Sequence, residues 1–183
     1  MITHKHKCIF IHIPKTAGSS IESFLNPSIK CTTNGDTFLK NKHESAVFYN
    51  TRDPNCFSKY FKFTFVRNPW DMVVSRYFYR KTKQSNFNIS IKDFLLGNFN
   101  WIKYFNSLSI DGKICVDFIG KFENLEQDFG IVCDRIGIPR QKLPHRNKSN
   151  HKHYTEYYDD ETHEIVAKTY AKDIEYFGYK FGD

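Results

Sequence analysis

Twice along this chain a short run of β-branched and aromatic residues stops at a proline-bearing turn and gives way to helical spacing. That switch constrains the fold more than any other feature of the sequence. The first run, residues 8–13 (Cys-Ile-Phe-Ile-His-Ile), is halted by Pro14 and Gly18. Ser19 to Glu22 then has the spacing of a capping box, so a helix is expected to open there. The second run, residues 61–66 (Phe-Lys-Phe-Thr-Phe-Val), meets Asn68, suited to an N-cap, Pro69, suited to a first helical turn, and Asp71, suited to the positive helix end. Beyond it Trp70, Val73, Val74, Tyr77 and Phe78 fall on one helical stripe. A third strand is expected at 115–119, followed by a helix capped at Asn124, reaching Ile136 and ended by Gly137 and Pro139. Ser90 and Asp93 mark a helix carrying Phe94, Leu95 and Phe99; Asp159 or Asp160 opens a last one, with Ile165, Val166, Thr169 and Tyr170 on its apolar side. Strands alternating with helices predict an α/β fold, a central parallel sheet flanked by helices. With 183 residues the chain is expected to form a single domain, 1–183. Residues 30–60 and 140–158 lack periodicity and are rich in polar and basic groups, so they are expected to be functional loops.

Hydrophobic residues make up 40% of the chain and aromatics 17%, enough for a packed core and too much for a disordered chain. No run approaches the ~18 apolar residues of a membrane span, and no signal peptide is visible, so a soluble, cytoplasmic protein is expected. The formal charge is +7, which suggests an anionic partner. The basic residues are segregated: Arg140, Lys142, Arg146, Lys148 and Lys152 form one acid-free cluster, Arg76, Arg80, Lys81 and Lys83 another. Five widely spaced cysteines indicate neither a disulfide framework nor a zinc site, and a reducing compartment is expected. Two His-Lys-His triplets (His4/His6 and His151/His153) lack a completing carboxylate or thiol at ligand spacing, so no metal is expected.

In a parallel α/β sheet, ligands gather beyond the carboxyl ends of the strands. Two strand-to-helix loops there have the chemistry to hold an anion. In the first, Pro14-Lys-Thr-Ala-Gly-Ser-Ser20, small residues admit the backbone to a ligand and a helix start offers N–H groups. Thr16, Ser19 and Ser20 add hydroxyls and Lys15 a mobile charge. The order differs from the nucleoside-triphosphatase loop, where the lysine follows the glycine and a Thr or Ser follows it to hold Mg²⁺. In the second loop Arg67 stands at the strand end, where a guanidinium can grip a phosphate with two bonds or make a structural ion pair. Ser75 lies about two turns into the following helix.

Together these loops resemble the sulfotransferases that use 3'-phosphoadenosine 5'-phosphosulfate (PAPS), in particular their carbohydrate branch. Pro14 to Ser20 is similar to that family's 5'-phosphosulfate loop. Phe63-Thr-Phe-Val-Arg-Asn-Pro-Trp-Asp-Met-Val-Val-Ser-Arg-Tyr77 is similar to its 3'-phosphate segment. Phe118 to Leu125 and the tail from Tyr157 to Tyr179 fit in the family's order. The resemblance implies a P-loop nucleotide-binding-like sulfotransferase fold. It implies Lys15 at the bridging oxygen and sulfuryl group, Thr16, Ala17, Gly18, Ser19 and Ser20 around the 5'-phosphate, and Arg67 with Ser75 on the 3'-phosphate. Residues 146–152 resemble the family's late closing loop, which makes Lys148, Ser149 and Lys152 candidates for phosphate or acceptor contacts. The family needs no metal.

Sulfuryl transfer requires the acceptor hydroxyl to lose its proton as it attacks sulfur, a task suited to histidine. His12 alternates with Cys8 and Phe10 on a strand face and is expected to be structural, while His163 is expected to be exposed on the last helix. His43, placed where related carbohydrate sulfotransferases carry their base, is the candidate general base, with adjacent Glu44 as the fallback. The expected activity is transfer from PAPS to a hydroxyl acceptor, a carbohydrate by resemblance, leaving 3',5'-adenosine bisphosphate; no nucleic acid is expected as partner. Three alternatives stay open: a Mg²⁺-dependent nucleotide kinase, a basic single-strand nucleic-acid module stacking bases on Tyr154, Tyr157 and Tyr158, and a sulfotransferase-like fold that binds nucleotide without catalysis.

Overall fold

The computed structural model describes residues 1–26, 43–97, 102–144 and 151–183. In chain order the elements are β1 (Ile2–Thr3), β2 (Cys8–Ile11), α1 (Gly18–Leu25), α2 (Ala46–Arg52), α3 (Pro54–Lys59), β3 (Phe61–Val66), α4 (Pro69–Lys83), α5 (Ile91–Leu96) and α6 (Tyr104–Leu108). There follow β4 (Ser109–Ile110), β5 (Lys113–Ile114), β6 (Phe118–Lys121), α7 (Leu125–Arg135), α8 (Asp160–Thr169) and α9 (Ala171–Phe177), with short 3₁₀ turns at Phe122–Asn124 and Tyr154–Tyr157. The fold is α/β, and the described chain divides into two compact units, one drawn from 1–66 and 104–146, the other from 67–103 and 147–183.

The first unit holds the sheet, in the order β1-β2-β3-β6. β2, β3 and β6 run parallel, with Phe10 opposite Phe63 and Phe63 opposite Phe118, while β1 adds an antiparallel edge. Period-2 alternation sends Cys8, Phe10, Phe63 and Phe65 to one face, where they form a core with Ile21 and Leu25 of α1 and Phe129, Val132 and Cys133 of α7. Ile9 and Ile11, pointing the other way, are equally buried, so β2 is apolar throughout, as a parallel strand covered on both faces must be. Gly120 of β6 is required by close approach: a Cβ there would lie 2.4 Å from the Phe65 ring.

The second unit is built on α4. Its start forms as the sequence predicts, with Pro69 in the first turn and the Asn68 side chain accepting from the Trp70 N–H. The Asn68 amide also donates to the Lys180 carbonyl at 2.8 Å, tying the helix start to the C-terminal segment. Trp70 lies flat on His163 of α8, with ring centroids 5.3 Å apart, and its Nε1–H donates to the His163 carbonyl. Tyr77 packs against Phe87 and Phe94, and α5 opens at Ser90 as expected, its hydroxyl accepting from the Asp93 N–H.

Several expectations need correction. The third parallel strand begins three residues late, at Phe118, because Asp117 clamps Lys62 (Asp117 N–H to the Lys62 carbonyl, Lys62 N–H to the Asp117 carboxylate, both 2.7 Å) and so sets the register. Cys115 belongs instead to the exit of the β4–β5 hairpin. The stretch 46–59 is two helices rather than loop, capped by Ser45 and Asp53. Part of 140–158 is a 3₁₀ turn. The end of the chain holds two helices, broken at Tyr170, rather than one. His163 is half-buried under Trp70, not exposed. Asn124 precedes α7 without capping it through its side chain. Phe99 lies outside the described residues.

Candidate active site

In the first unit the chain leaves β2 at Ile11 and reaches α1 through a loop folded back on itself. Lys15 and Ala17 both adopt left-handed backbone conformations, with φ of 68° and 64°. For residues with a Cβ this costs about 1–2 kcal/mol each, and such strain concentrates at functional sites. The loop is held by its own groups. The Thr16 hydroxyl, fully buried, donates to the Ile13 carbonyl at 2.8 Å, and the Ala17 carbonyl accepts from the N–H groups of Ser20 and Ile21. Thr16 therefore spends its proton on the turn, and its side chain does not face outward as a free hydroxyl. Lys15, Ala17 and Ser19 are half-buried and Ser20 is buried.

The N-cap of α1 is Ala17, whose methyl cannot accept a hydrogen bond, so the helix start is of the kind that meets anions with backbone N–H groups. The expected capping box from Ser19 to Glu22 does not form. Helix α1 opens two residues earlier, with the left-handed Ala17 at its N-cap, and Glu22 turns inward to meet His12. Its Oε1 lies 2.9 Å from His12 Nδ1, and the two side chains are 7% and 4% exposed. The imidazole occupies the space where a side chain at position 18 would stand: a Cβ on Gly18 would fall 2.0 Å from His12 Nε2. Glycine is demanded here by the histidine, on the protein side of the loop.

His43 is at the same place. Its Nδ1 is 3.1 Å from the His12 carbonyl oxygen, and its ring meets the His12 ring edge-on with centroids 4.6 Å apart. A residue 31 positions away in sequence is thus seated on the loop that carries Lys15. Glu44, the alternative base, is half-buried beside it.

In the second unit Arg67 is buried, and its Nε and Nη2 each lie 2.8 Å from Oδ2 of Asp71. Asp71 therefore holds the guanidinium at the N-terminal end of α4. Ser75, 2% exposed, follows Asp71 by four residues, so these two side chains share one line of α4, and the ion pair brings the Arg67 guanidinium, from just before the helix, to Asp71. Lys152 is exposed, and its ammonium pairs with Glu156 at 3.0 Å. Lys148 and Ser149 lie outside the described residues. The two His-Lys-His triplets are used separately: His4 bonds the Tyr60 hydroxyl, His151 stacks on Phe78, and His153 contacts the Thr155 hydroxyl. Among the described residues no group of three or more His, Cys, Asp or Glu side chains converges on a point that could hold a metal ion.

The profile of the sulfotransferase family matches residues 1–180. The chain belongs to that family. This sulfotransferase-family chain is 43% identical to an uncharacterized protein of Archaeoglobus fulgidus over 90 residues, 46% of its own length and 74% of the relative's. It is 26% identical to carbohydrate sulfotransferase 14 of Danio rerio over 186 residues, 80% of its own length and 50% of the relative's. The chain thus spans about half the length of that second relative. No solved structure gives a significant match.

Sequence reasoning about this family member missed two orienting carboxylates. Capping-box spacing accounts for Glu22 at the level of sequence, and a favourable helix-end charge accounts for Asp71. The overlooked signal for Asp71 was its i, i+4 spacing from Arg67 in a segment that enters a helix. For Glu22 it was a charged residue on the apolar side of a helix that follows a strand holding a lone histidine.

Proposed function

We propose that the protein transfers the sulfuryl group of PAPS to a hydroxyl, with a carbohydrate as the acceptor class. The observation that carries this reading is the seating of His43 on the Lys15 loop, a base candidate and a cation candidate joined through the backbone of His12. The residues suit such a donor. The start of α1, with alanine at its N-cap, and the left-handed turn at Lys15 and Ala17 are the kind of backbone that cradles a phosphate, here the 5'-phosphate. Arg67, aimed by Asp71, and Ser75 are the groups the resemblance implies for the 3'-phosphate. PAPS supplies a sulfuryl group on a phosphate leaving group. Lys15 neutralises charge growing on the bridging oxygen as it departs, and His43 takes the hydroxyl proton through Nε2, since its Nδ1 already donates to the His12 carbonyl. Positioning and charge stabilisation do the remainder, as in phosphoryl transfer. The carbohydrate acceptor is supported by the resemblance to carbohydrate sulfotransferase 14 and by the net charge of +7, which suits an acidic or already sulfated glycan.

Titration calorimetry with 3',5'-adenosine bisphosphate and with ATP, each with and without Mg²⁺, tests the nucleotide; an acceptor screen with labelled PAPS tests the transfer. Binding of the bisphosphate independent of Mg²⁺, with no ATP turnover, is expected. Lys15→Ala should lower kcat by roughly 10²–10³-fold while bisphosphate affinity falls far less, as for loss of one charge-stabilising group. Arg67→Ala should chiefly weaken bisphosphate binding. Wild-type turnover in Lys15→Ala would refute the assignment.

A further inference from the structure

We propose that the buried Glu22–His12 pair is a positioning device that holds His43 in a single tautomer, with Nε2 as its proton-accepting nitrogen. The proposal rests on the functional reading above for its consequence in turnover, and on geometry alone for the tautomer itself. A backbone carbonyl can only accept, so the 3.1 Å contact between His43 Nδ1 and the His12 carbonyl places the His43 proton on Nδ1 and leaves the lone pair on Nε2. A free histidine side chain prefers the opposite tautomer, which could not accept a proton at Nε2. His43 is exposed and water competes for its hydrogen bond to the loop carbonyl, so further restraint of the ring sharpens the tautomer.

The second restraint is the His12 ring, which meets His43 edge-on at 4.6 Å. That ring is itself immobilised on three sides. Glu22 accepts from its Nδ1–H at 2.9 Å, Phe10 stacks on it with centroids 5.5 Å apart, and the bare Cα of Gly18 closes on its far edge. Helix α1 thereby reaches His43 through one side chain: Glu22 orients His12, and His12 orients His43 with its ring and its carbonyl together. The ionisable and charged groups on the elements gathered here include Glu22 on α1, Cys8 on β2, Glu44 beside His43, Lys15 in the loop, Tyr49 and Arg52 on α2, and the amine of Met1, which contacts the Tyr49 hydroxyl. Of these, Glu22 is the one bonded to His12.

The test is ¹⁵N NMR of the histidine ring nitrogens in the full chain, joined to kinetics and to titration with 3',5'-adenosine bisphosphate. In the wild type, His43 should show a protonated Nδ1 and an unprotonated Nε2 above its titration. Glu22→Leu releases the His12 ring and should shift His43 toward the Nε2–H form. It should also lower the kcat plateau of the pH profile about tenfold or more, with KM for PAPS and bisphosphate affinity within about twofold. Glu22→Gln keeps an acceptor for His12 Nδ1–H and should restore both tautomer and kcat. If Glu22→Leu fails to fold, His12→Leu/Glu22→Leu removes both partners without orphaning either, and should give the same shift. A wild-type tautomer and pH profile in the Leu variants, or failure of Gln to rescue, overturns the proposal. Parallel loss of bisphosphate binding also overturns it, because the pair would then be shaping the loop. If the wild type transfers no sulfuryl group to any acceptor, the functional reading falls, and the tautomer measurement still decides this one.

Discussion

Position 18 shows how little room a loop of this kind leaves. Gly18→Ala would drive a methyl group to within 2.0 Å of an imidazole that Glu22 prevents from retreating, so the variant should lose roughly 2–3 kcal/mol in denaturant unfolding. Its neighbour should behave in the opposite sense. Ala17 is held at φ 64°, and Ala17→Gly removes that strain, so unfolding should become harder by about 1 kcal/mol. A single urea titration series covers both. The composition and place of the loop are legible in the sequence because lysine, small residues and hydroxyls crowd one strand-to-helix turn. The division of labour within it is not. Thr16 could not be recognised as a turn-closing donor, nor Gly18 as a seat for histidine, since both facts depend on which way the chain folds back.

Secondary elements divide along the same line between local and distant causes. α4 and α5 were readable because their starts are made by adjacent residues: Asn68 with Pro69, and Ser90 with Asp93. The start of β6 was misplaced because its register is fixed by Asp117 gripping Lys62, 55 residues away, which no window over 115–119 contains. The same holds for His43, whose place beside the Lys15 loop is set by a carbonyl 31 residues upstream. α8 offers a test at this scale. Asp159 accepts from the Thr162 N–H in a capping box and pairs with Lys92 at 2.8 Å, and the hydrogen bond from Lys92, then those from Thr162, hold its carboxyl well below the usual range. A carboxylate depressed in the folded state contributes stability that is present above its unfolded value, about 3.9, and lost as pH falls through the folded value. Acid titration should therefore loosen the start of α8 only at strongly acidic pH. Asp159→Ala should lower the melting temperature at pH 7 more than Asp159→Asn, which keeps an acceptor for Thr162, and added salt should shrink the wild-type advantage over Asn.

At the scale of the whole molecule the cysteines separate packing from reactivity. Burial pushes the Cys8 thiol up to about 12 and raises Cys115 and Cys133; a hydrogen bond with Asp53, then burial, raises Cys56. Thiolate is the reactive form, so these four should be alkylated slowly at pH 7.5 in the native protein and rapidly in denaturant, as followed by mass spectrometry. The larger architectural fact is the interleaving of the two units, the chain passing between them after Val66, after Lys103 and again after residue 146. Translation delivers the pieces in a different order from the one in which they are needed. β2 and β3 emerge first, yet the outer edge of β3 stays unpaired until Phe118–Lys121 has been synthesised, and α4 waits for the partners of Trp70 in the final stretch. A nascent chain halted between those points would offer a bare parallel edge lined with phenylalanine to any neighbour on the polysome, which makes the pace of elongation through that interval a determinant of yield.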